Sequence, residues 1–475
     1  MKLTMFKISV IVIMCFGLSC KLPSITQQQE GTQVPGTYEV KQSDTLQVSS
    51  FFKQFYTSNN LLNLIDTVIA RNPDRSIAMQ RIEWMNAQFV KDRAALSPSV
   101  QAMLQSSVKR FGLYTMDGAG NIVTEMEPGK LIPRNLPDYN IALQSSWEAD
   151  MWGKLKSRKK ASYTRYLASQ TGVQLVNTSL VAQTAASFYE LMGIDEMIKY
   201  LDATIELQTQ VIDVVETQKA ATMVTELAVQ QFKAQLLALQ AMRIELKQKG
   251  FEIETRINDL AGRPYQPILR DTNFFDPSIT SKLHLGIPSQ LITRRPDIRM
   301  AEQEWMAAGF DLTAARAAFF PSLTVNAALG LQAYRTGLWI QSPESLAFSV
   351  VASLTQPIWN RGALRAQFKM MDVNRNQAFI SLKQVVNKAY NEVNNEWFQQ
   401  LKLKELVDLK RQQNTYTTNA VTVSKDLFRT GRATYLEVLI SQQQSMQVRM
   451  ELIEARKKQL NSMVMLYRAL GGGIE

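Results

Sequence analysis

Apolar and polar residues alternate along four stretches of the chain. Leu323, Val325, Ala327, Leu329 and Leu331 alternate with Thr324, Asn326, Ala328, Gly330 and Gln332. Leu346, Phe348, Val350, Ala352 and Leu354 alternate with Ala347, Ser349, Val351, Ser353 and Thr355. Ile141, Leu143, Trp147 and Met151 do so against Gln144, Ser146, Glu148 and Asp150, and residues 99–116 alternate less cleanly. A period of two is that of a strand with unlike faces. Each stretch has about the length of a tilted membrane-crossing strand, ~9–11 residues. The half-buried sheet of a soluble protein would alternate in the same way. Four strands are too few to close a barrel, and a bilayer tolerates no open strand edge. If these strands cross a membrane, several copies must share one barrel.

The remaining pattern is helical. No proline occurs between Gly153 and Pro264 or from Ile358 to the end. Leu191, Ile194, Ile198, Leu201 and Ile205 alternate spacings of three and four, a coiled-coil seam. Leu439, Met446, Ile453, Leu460 and Tyr467 recur every seventh residue, as do Leu237, Ile244 and Phe251. These stripes are expected to be core. A helix from Leu155 to Ala220 would be ~100 Å long and must lie against other long helices.

The chain is internally duplicated. Residues 72–99 and 295–322 align with Pro73 on Pro296, Asp74 on Asp297, Ala78 on Ala301, Gln80 on Gln303, Arg93 on Arg316 and Pro98-Ser99 on Pro321-Ser322. With a shorter offset, Asp150-Met151-Trp152 falls on Pro357-Ile358-Trp359, Thr225 on Thr434 and Leu260-Ala261-Gly262 on Ala469-Leu470-Gly471. Both halves run in one order: helix, Pro-Ser break, strand pair, long helix pair. The expected segments are a helical stretch (57–98), two strands with an external loop (99–152) and a long helix pair (153–264). After a connector (265–294) the order repeats as helix (295–320), strands (321–358) and helix pair (359–475). The expected fold class is thus mainly α with duplicated strand pairs, which either cross a membrane or form a soluble sheet.

The amino end adds a location. Lys2 and Lys7 precede an apolar run, Ile8 to Leu18, too short to span a bilayer and the length of a signal core. The run ends at Leu18-Ser19-Cys20, which resembles a bacterial lipobox, with Gly17 where Leu is usual. A plain secretory signal is the alternative. Removal of residues 1–19 would discard Cys15 and leave Cys20 as the lipidated terminus, so no internal disulfide could form. Lys21, which is not aspartate, resembles the context for outer-membrane sorting, and residues 20–56 read as a lipid anchor and a polar tether.

Composition removes other chemistries. The net charge of +11 is spread along the chain. The basic cluster Lys154, Lys156, Arg158, Lys159 and Lys160 has no interleaved aromatics before Tyr163, so no nucleic-acid partner is expected. His284 is the only histidine, and no zinc-type spacing or phosphate loop exists, so no cofactor, metal or catalytic site is expected. Asp117-Gly118-Ala119-Gly120 has the composition of a strand-to-strand turn.

Several long motifs, in order, resemble one family. They are residues 286–323 (GIPSQLITRRPDIRMAEQEWMAAGFDLTAARAAFFPSL), SWEADMWGKLKS at 146–157, LTQPIWNRGALRA at 354–366, ATYLEVL at 433–439 and LYRALGGG at 466–473. The chain is similar to TolC-like outer-membrane efflux proteins of the lipidated, multidrug-pump branch. The resemblance implies a homotrimer whose strands form a 12-stranded barrel and whose helices form a periplasmic tunnel with an equatorial belt. It implies three partners: a periplasmic adaptor, a proton-driven inner-membrane pump and outer-membrane lipid. The family's helix tips would fall at Gly431-Arg432 and near Thr222, where Thr replaces the duplicate's Gly. Leu436 and Glu437 would form the closing rings. Ile440 stands where a second acid is usual, and Ala228 replaces an acid in the first half. Without the resemblance, Glu437 reads equally well as a solvated helix residue. Two other classes stay open: a periplasmic adaptor, which would carry one central hairpin rather than two helix pairs, and a lipid-anchored enzyme, which lacks a catalytic set.

Overall fold

The computed structural model describes residues 52–276 and 295–472. The signal segment, Cys20, His284 and most of the connector lie outside the described residues. The chain divides into two compact units, one holding residues 84–166 and 304–379 and the other the remaining described residues.

Short helices come first: α1 (Phe52–Phe55), α2 (Asn59–Arg71) and α3 (Pro73–Ala94). Ser58 caps α2, its Oγ accepting from Leu61 N at 3.1 Å. The break between α2 and α3 follows from Asn72 and Pro73. Asn72 is extended, as a residue before proline prefers, and its Oδ1 accepts from Arg75 N at 3.1 Å. Proline then occupies the first helical position, where its missing N–H costs nothing.

Four long strands follow in two pairs. Strand β1 (Ser99–Lys109) is joined to β4 (Leu136–Ala149) through α4 (Met116–Asn121) and the short pair β2 (Glu125–Glu127) and β3 (Lys130–Leu131). After helix α7 (Pro296–Ala317) come β5 (Ser322–Ala333) and β6 (Leu346–Thr355). The sheet order is β1-β4-β5-β6, antiparallel throughout, with β1 and β6 as its two edges.

Each strand pair leads into two long helices. Helix α5 (Lys154–Ala220) has 67 residues and α6 (Glu226–Leu260) has 35. Helix α7 (Pro296–Ala317) precedes the second strand pair. Helices α8 (Ala363–Arg429) and α9 (Tyr435–Ala469) again have 67 and 35 residues. All four close in one way. At the second residue after each helix φ is positive: +59° at Thr222, +59° at Gly262, +70° at Gly431 and +82° at Gly471. The next N–H reaches back five residues, as Met223 N to Gln218 O at 2.9 Å and Arg432 N to Leu427 O at 2.8 Å. This is the Schellman termination, and glycine is its usual residue.

The second unit is held by the helix seams. Leu191, Ile194, Leu201, Ile257, Ile453, Leu460 and Tyr467 are all buried to 1% exposure or less. Phe55 stacks on Tyr467 with ring centroids 4.0 Å apart. Arg295, from the RRPD motif, donates to Asp297 Oδ2 at 2.7 Å, Glu392 Oε2 at 2.9 Å and the Ala469 carbonyl at 2.9 Å. One buried cation thus ties the start of α7 to the second helix pair.

Three sequence expectations need correction. Asp117–Gly120 is not a strand-to-strand turn but the body of α4: Thr115 Oγ1 caps it by accepting from Gly118 N at 3.1 Å. Gly118 lies so close to the Gly112 carbonyl that a Cβ would meet its oxygen at 1.9 Å. Met151 is not on a strand. Asp150 ends β4 because its carboxylate caps α5, accepting from Leu155 N at 3.0 Å and Lys156 N at 2.8 Å. The stripe Leu237, Ile244 and Phe251 is not core; these residues are 65%, 68% and 53% exposed. The buried face of α6 is instead Phe232, Leu239, Ile253 and Ile257.

Candidate functional site

The sheet has two chemically opposite faces. Directly paired residues of neighbouring strands project to the same side, so the register reads the faces off row by row. One side carries Leu104-Ile141-Leu331-Leu346, then Ala102-Leu143-Leu329-Phe348, then Trp147-Val325-Ala352 and Ala149-Leu323-Leu354. Leu104, Leu143, Leu329 and Phe348 are 72%, 57%, 56% and 79% exposed, a largely apolar surface that no described residue covers. The other side carries Gln105-Asn140-Gln332, Gln101-Gln144-Ala328-Ser349 and Ser99-Ser146-Asn326. There Gln101 donates to Gln144 at 3.3 Å and Gln332 to Asp138 at 2.8 Å.

Indoles stand at both ends of the strands. Trp147 Nε1 donates to the Leu96 carbonyl at 3.0 Å and Trp152 Nε1 to the Pro321 carbonyl at 2.8 Å at one end. Trp339 Nε1 donates to the Tyr139 carbonyl at 3.1 Å at the other. Amphipathic rings at two levels flanking an apolar band are the arrangement of a bilayer-crossing sheet. No helix among the described residues is long and apolar enough to cross a membrane.

The two helix tips are the second candidate region. Both turns take the same backbone path, yet Thr222 adopts the left-handed conformation with a β-branched side chain, while Gly431 has none. Thr222 Oγ1 donates to the Ala221 carbonyl at 2.7 Å. Arg432 is exposed and contributes its N–H to the turn.

The helix starts beyond the turns differ. Thr434 caps α9 in a full capping box: its Oγ1 accepts from Glu437 N, and Glu437 Oε2 accepts from Thr434 N at 2.6 Å and Thr434 Oγ1 at 2.9 Å. The Thr434 amide, then its hydroxyl, hold the Glu437 carboxyl below its ordinary value. Thr225 stands at the same place before α6 without a side-chain cap bond. Three residues on, Ala228 is fully buried among Ile212, Val215, Val229, Phe232 and Leu439. An acid in place of Ala228 would be driven into that cluster.

Leu436 is 46% exposed and Ile440 53%, one turn apart on the outward side of α9, while Val438 and Leu439 face inward. Leu227, at the start of α6, is 59% exposed in the corresponding position. Sequence reasoning passed over Leu227, although carrying the Thr225–Thr434 match two residues further finds it. Among the described residues no cluster of His, Cys, Asp or Glu could hold a metal.

The comparisons with known proteins decide the class. A match to the outer membrane efflux protein family covers residues 64–263 and 287–472. The chain belongs to the outer membrane efflux protein family. Among its relatives, the pyoverdine export outer membrane protein OpmQ of Pseudomonas putida is 26% identical over 463 residues, 96% of this chain and 95% of that protein. The solvent efflux pump outer membrane protein SrpC of Pseudomonas putida is 26% identical over 433 residues, 89% and 87% of the two chains. Among solved structures, the outer-membrane channel OprN superposes with a TM-score of 0.83 at 23% identity, covering 94% of this chain and 99% of that one. This outer membrane efflux protein is therefore an export duct and not an enzyme. Its fold is the one expected from the residues: mainly helical, duplicated, with membrane strands.

Proposed function

We propose that three copies of this chain form the passive exit duct of a tripartite efflux system. The observation that carries the reading is the sheet. Among the described residues it has an apolar face and a polar face, two unpaired edges and four membrane-length strands. Closure in lipid needs further strands, and three copies supply twelve. The apolar face then meets acyl chains and the Gln-, Asn- and Ser-rich face lines a wet lumen. The tips at Thr222, Gly431 and Arg432 meet a periplasmic adaptor. That adaptor joins the duct to an inner-membrane pump driven by protons, and Cys20 carries a lipid in the outer membrane.

The gate lies at Leu436, with Ile440 one turn above it. Their outward exposure in a single chain fits residues that meet their symmetry mates on an axis. Glu437 contributes charge to the ring only from the capped position, its carboxylate folded over Thr434. Relatives are named for pyoverdine export, solvent efflux and cation efflux, so we assign the choice of cargo to the pump rather than to this scaffold.

The test is reconstitution. Detergent-extracted protein should run as a trimer by light scattering and give ion-conducting steps in a planar bilayer. Leu436→Cys should crosslink between copies under oxidation. A single-chain particle without conductance would end the reading. A conducting trimer without that crosslink would remove the gate from Leu436. Efflux that continues after collapse of the proton gradient would remove the proton-driven pump.

A further inference from the structure

The duplication leaves an imbalance. In α9 the heptad Leu439, Ile453, Leu460 and Tyr467 is buried inside the chain, whereas in α6 the heptad Leu237, Ile244 and Phe251 faces outward at 65%, 68% and 53% exposure. A second outward stripe runs along α8: Leu409, Tyr416 and Val423, also seven apart, at 64%, 74% and 56% exposure. Apolar residues at heptad spacing are what one long helix presents to another, and neither stripe is covered by the described residues of its own chain.

We infer that the α6 stripe of one copy seats on the α8 stripe of the next, level for level, with Leu237 against Tyr416 and Ile244 against Leu409. The inference rests on the trimeric reading above and assigns the register of its helical contact. The levels follow from the tips. Leu237 lies as far beyond Thr222 as Tyr416 lies before Gly431, and Ile244 and Leu409 are matched in the same way. The two tips are themselves level. Gln443 of α9 donates to Gln235 of α6 at 3.0 Å, and Leu439 packs among Ile212, Val215 and Phe232 beside the first turn. Rotation about a common axis preserves height, so residues level in one chain stay level between copies.

The two surfaces are different patches of one molecule, so the contact is head-to-tail, and such contacts close into rings when the rotation permits. A lipid surface would not need two stripes of equal period at equal height. A second copy does.

The experiment uses the full chain with Ile244→Cys and Leu409→Cys together, purified in mild detergent and treated with a short bismaleimide. Covalent dimers and trimers are expected on a denaturing gel, and neither single variant should give trimers. The pair Leu237→Cys with Leu409→Cys is offset by two turns, ~10 Å at 1.5 Å per residue, and should crosslink at least tenfold less. Equal yields from the two pairs, or no product in a particle that light scattering shows to hold three copies, would overturn the register. A particle of one copy would instead overturn the trimeric reading on which it rests.

Discussion

The two hairpin tips began as copies and now hold themselves together by different means. The first has a poor turn and a good core: Thr222 sits at φ +59°, while Ala228, Val229 and Phe232 are buried against Ile212 and Val215. The second has a good turn and a good cap: Gly431 takes φ +70° with no strain, and Thr434 and Glu437 satisfy each other's orphan N–H groups. The inward face has rotated between them. Ala228 points into the cluster, but Glu437, its counterpart, is exposed and folds its carboxylate back on Thr434. A buried apolar cluster resists opening, whereas a cap stabilises one helix end and leaves its outer surface free. The second tip is thus the better built to present Leu436 and Ile440 to a pore, and the first to brace it.

This contrast can be broken, and the largest break is in the first tip's core. Phe232→Ala removes a side chain 1% exposed and should cost about 3–5 kcal/mol. It should appear as a lower thermal midpoint and faster hydrogen exchange in residues 212–232, with residues 440–460 little changed. Next is Gly431→Thr, which copies the first turn into the second. Left-handed backbone costs about 1–2 kcal/mol for a residue with a Cβ, so exchange at Thr430 and Arg432 should quicken. The reciprocal Thr222→Gly should gain under ~1 kcal/mol, because relief of strain is offset by the freer unfolded chain. An equal and opposite response to the two swaps would mean that the surrounding packing does not matter.

Thr434→Ala should loosen the start of α9 by about 1 kcal/mol, with no matching effect of Thr225→Ala, whose side chain makes no cap bond. The smallest effect is the pH dependence of that cap. Glu437 is held below its ordinary pKa by the Thr434 amide and hydroxyl. Its contribution is therefore present above the ordinary carboxylate range and is lost as pH falls through the lowered value. The protection of α9's first turn in wild type, relative to Glu437→Gln, should shrink to nothing in acid. A difference that persists there would show that the capping box is not the origin of the shift.

Much of the architecture was legible because it depends on period. Alternation of Leu323, Val325, Ala327, Leu329 and Leu331 marks a strand whatever surrounds it, and long runs without proline mark long helices. The tips were legible from Gly431 and the duplicate Thr225–Thr434. The errors lie where local composition permits two outcomes. The glycines of residues 117–120 suit a turn, but Gly118 is there so that the chain can approach the Gly112 carbonyl closely. Nothing local shows that Asp150 will turn its carboxylate onto the N–H groups of α5 rather than continue β4.

The sequence alone determined the repeating order of strands and helices and the two-faced sheet, since backbone period and side-chain polarity act within a few residues. It also determined the family. Only the tertiary structure decided which of two equivalent heptads, Ile453 and Leu460 or Ile244 and Phe251, would be covered by its own chain. It alone decided whether Glu437 would point outward or fold back on Thr434. The periodicity of a helix says that a face will be buried, but the partner and the rotation are fixed by packing between segments hundreds of residues apart.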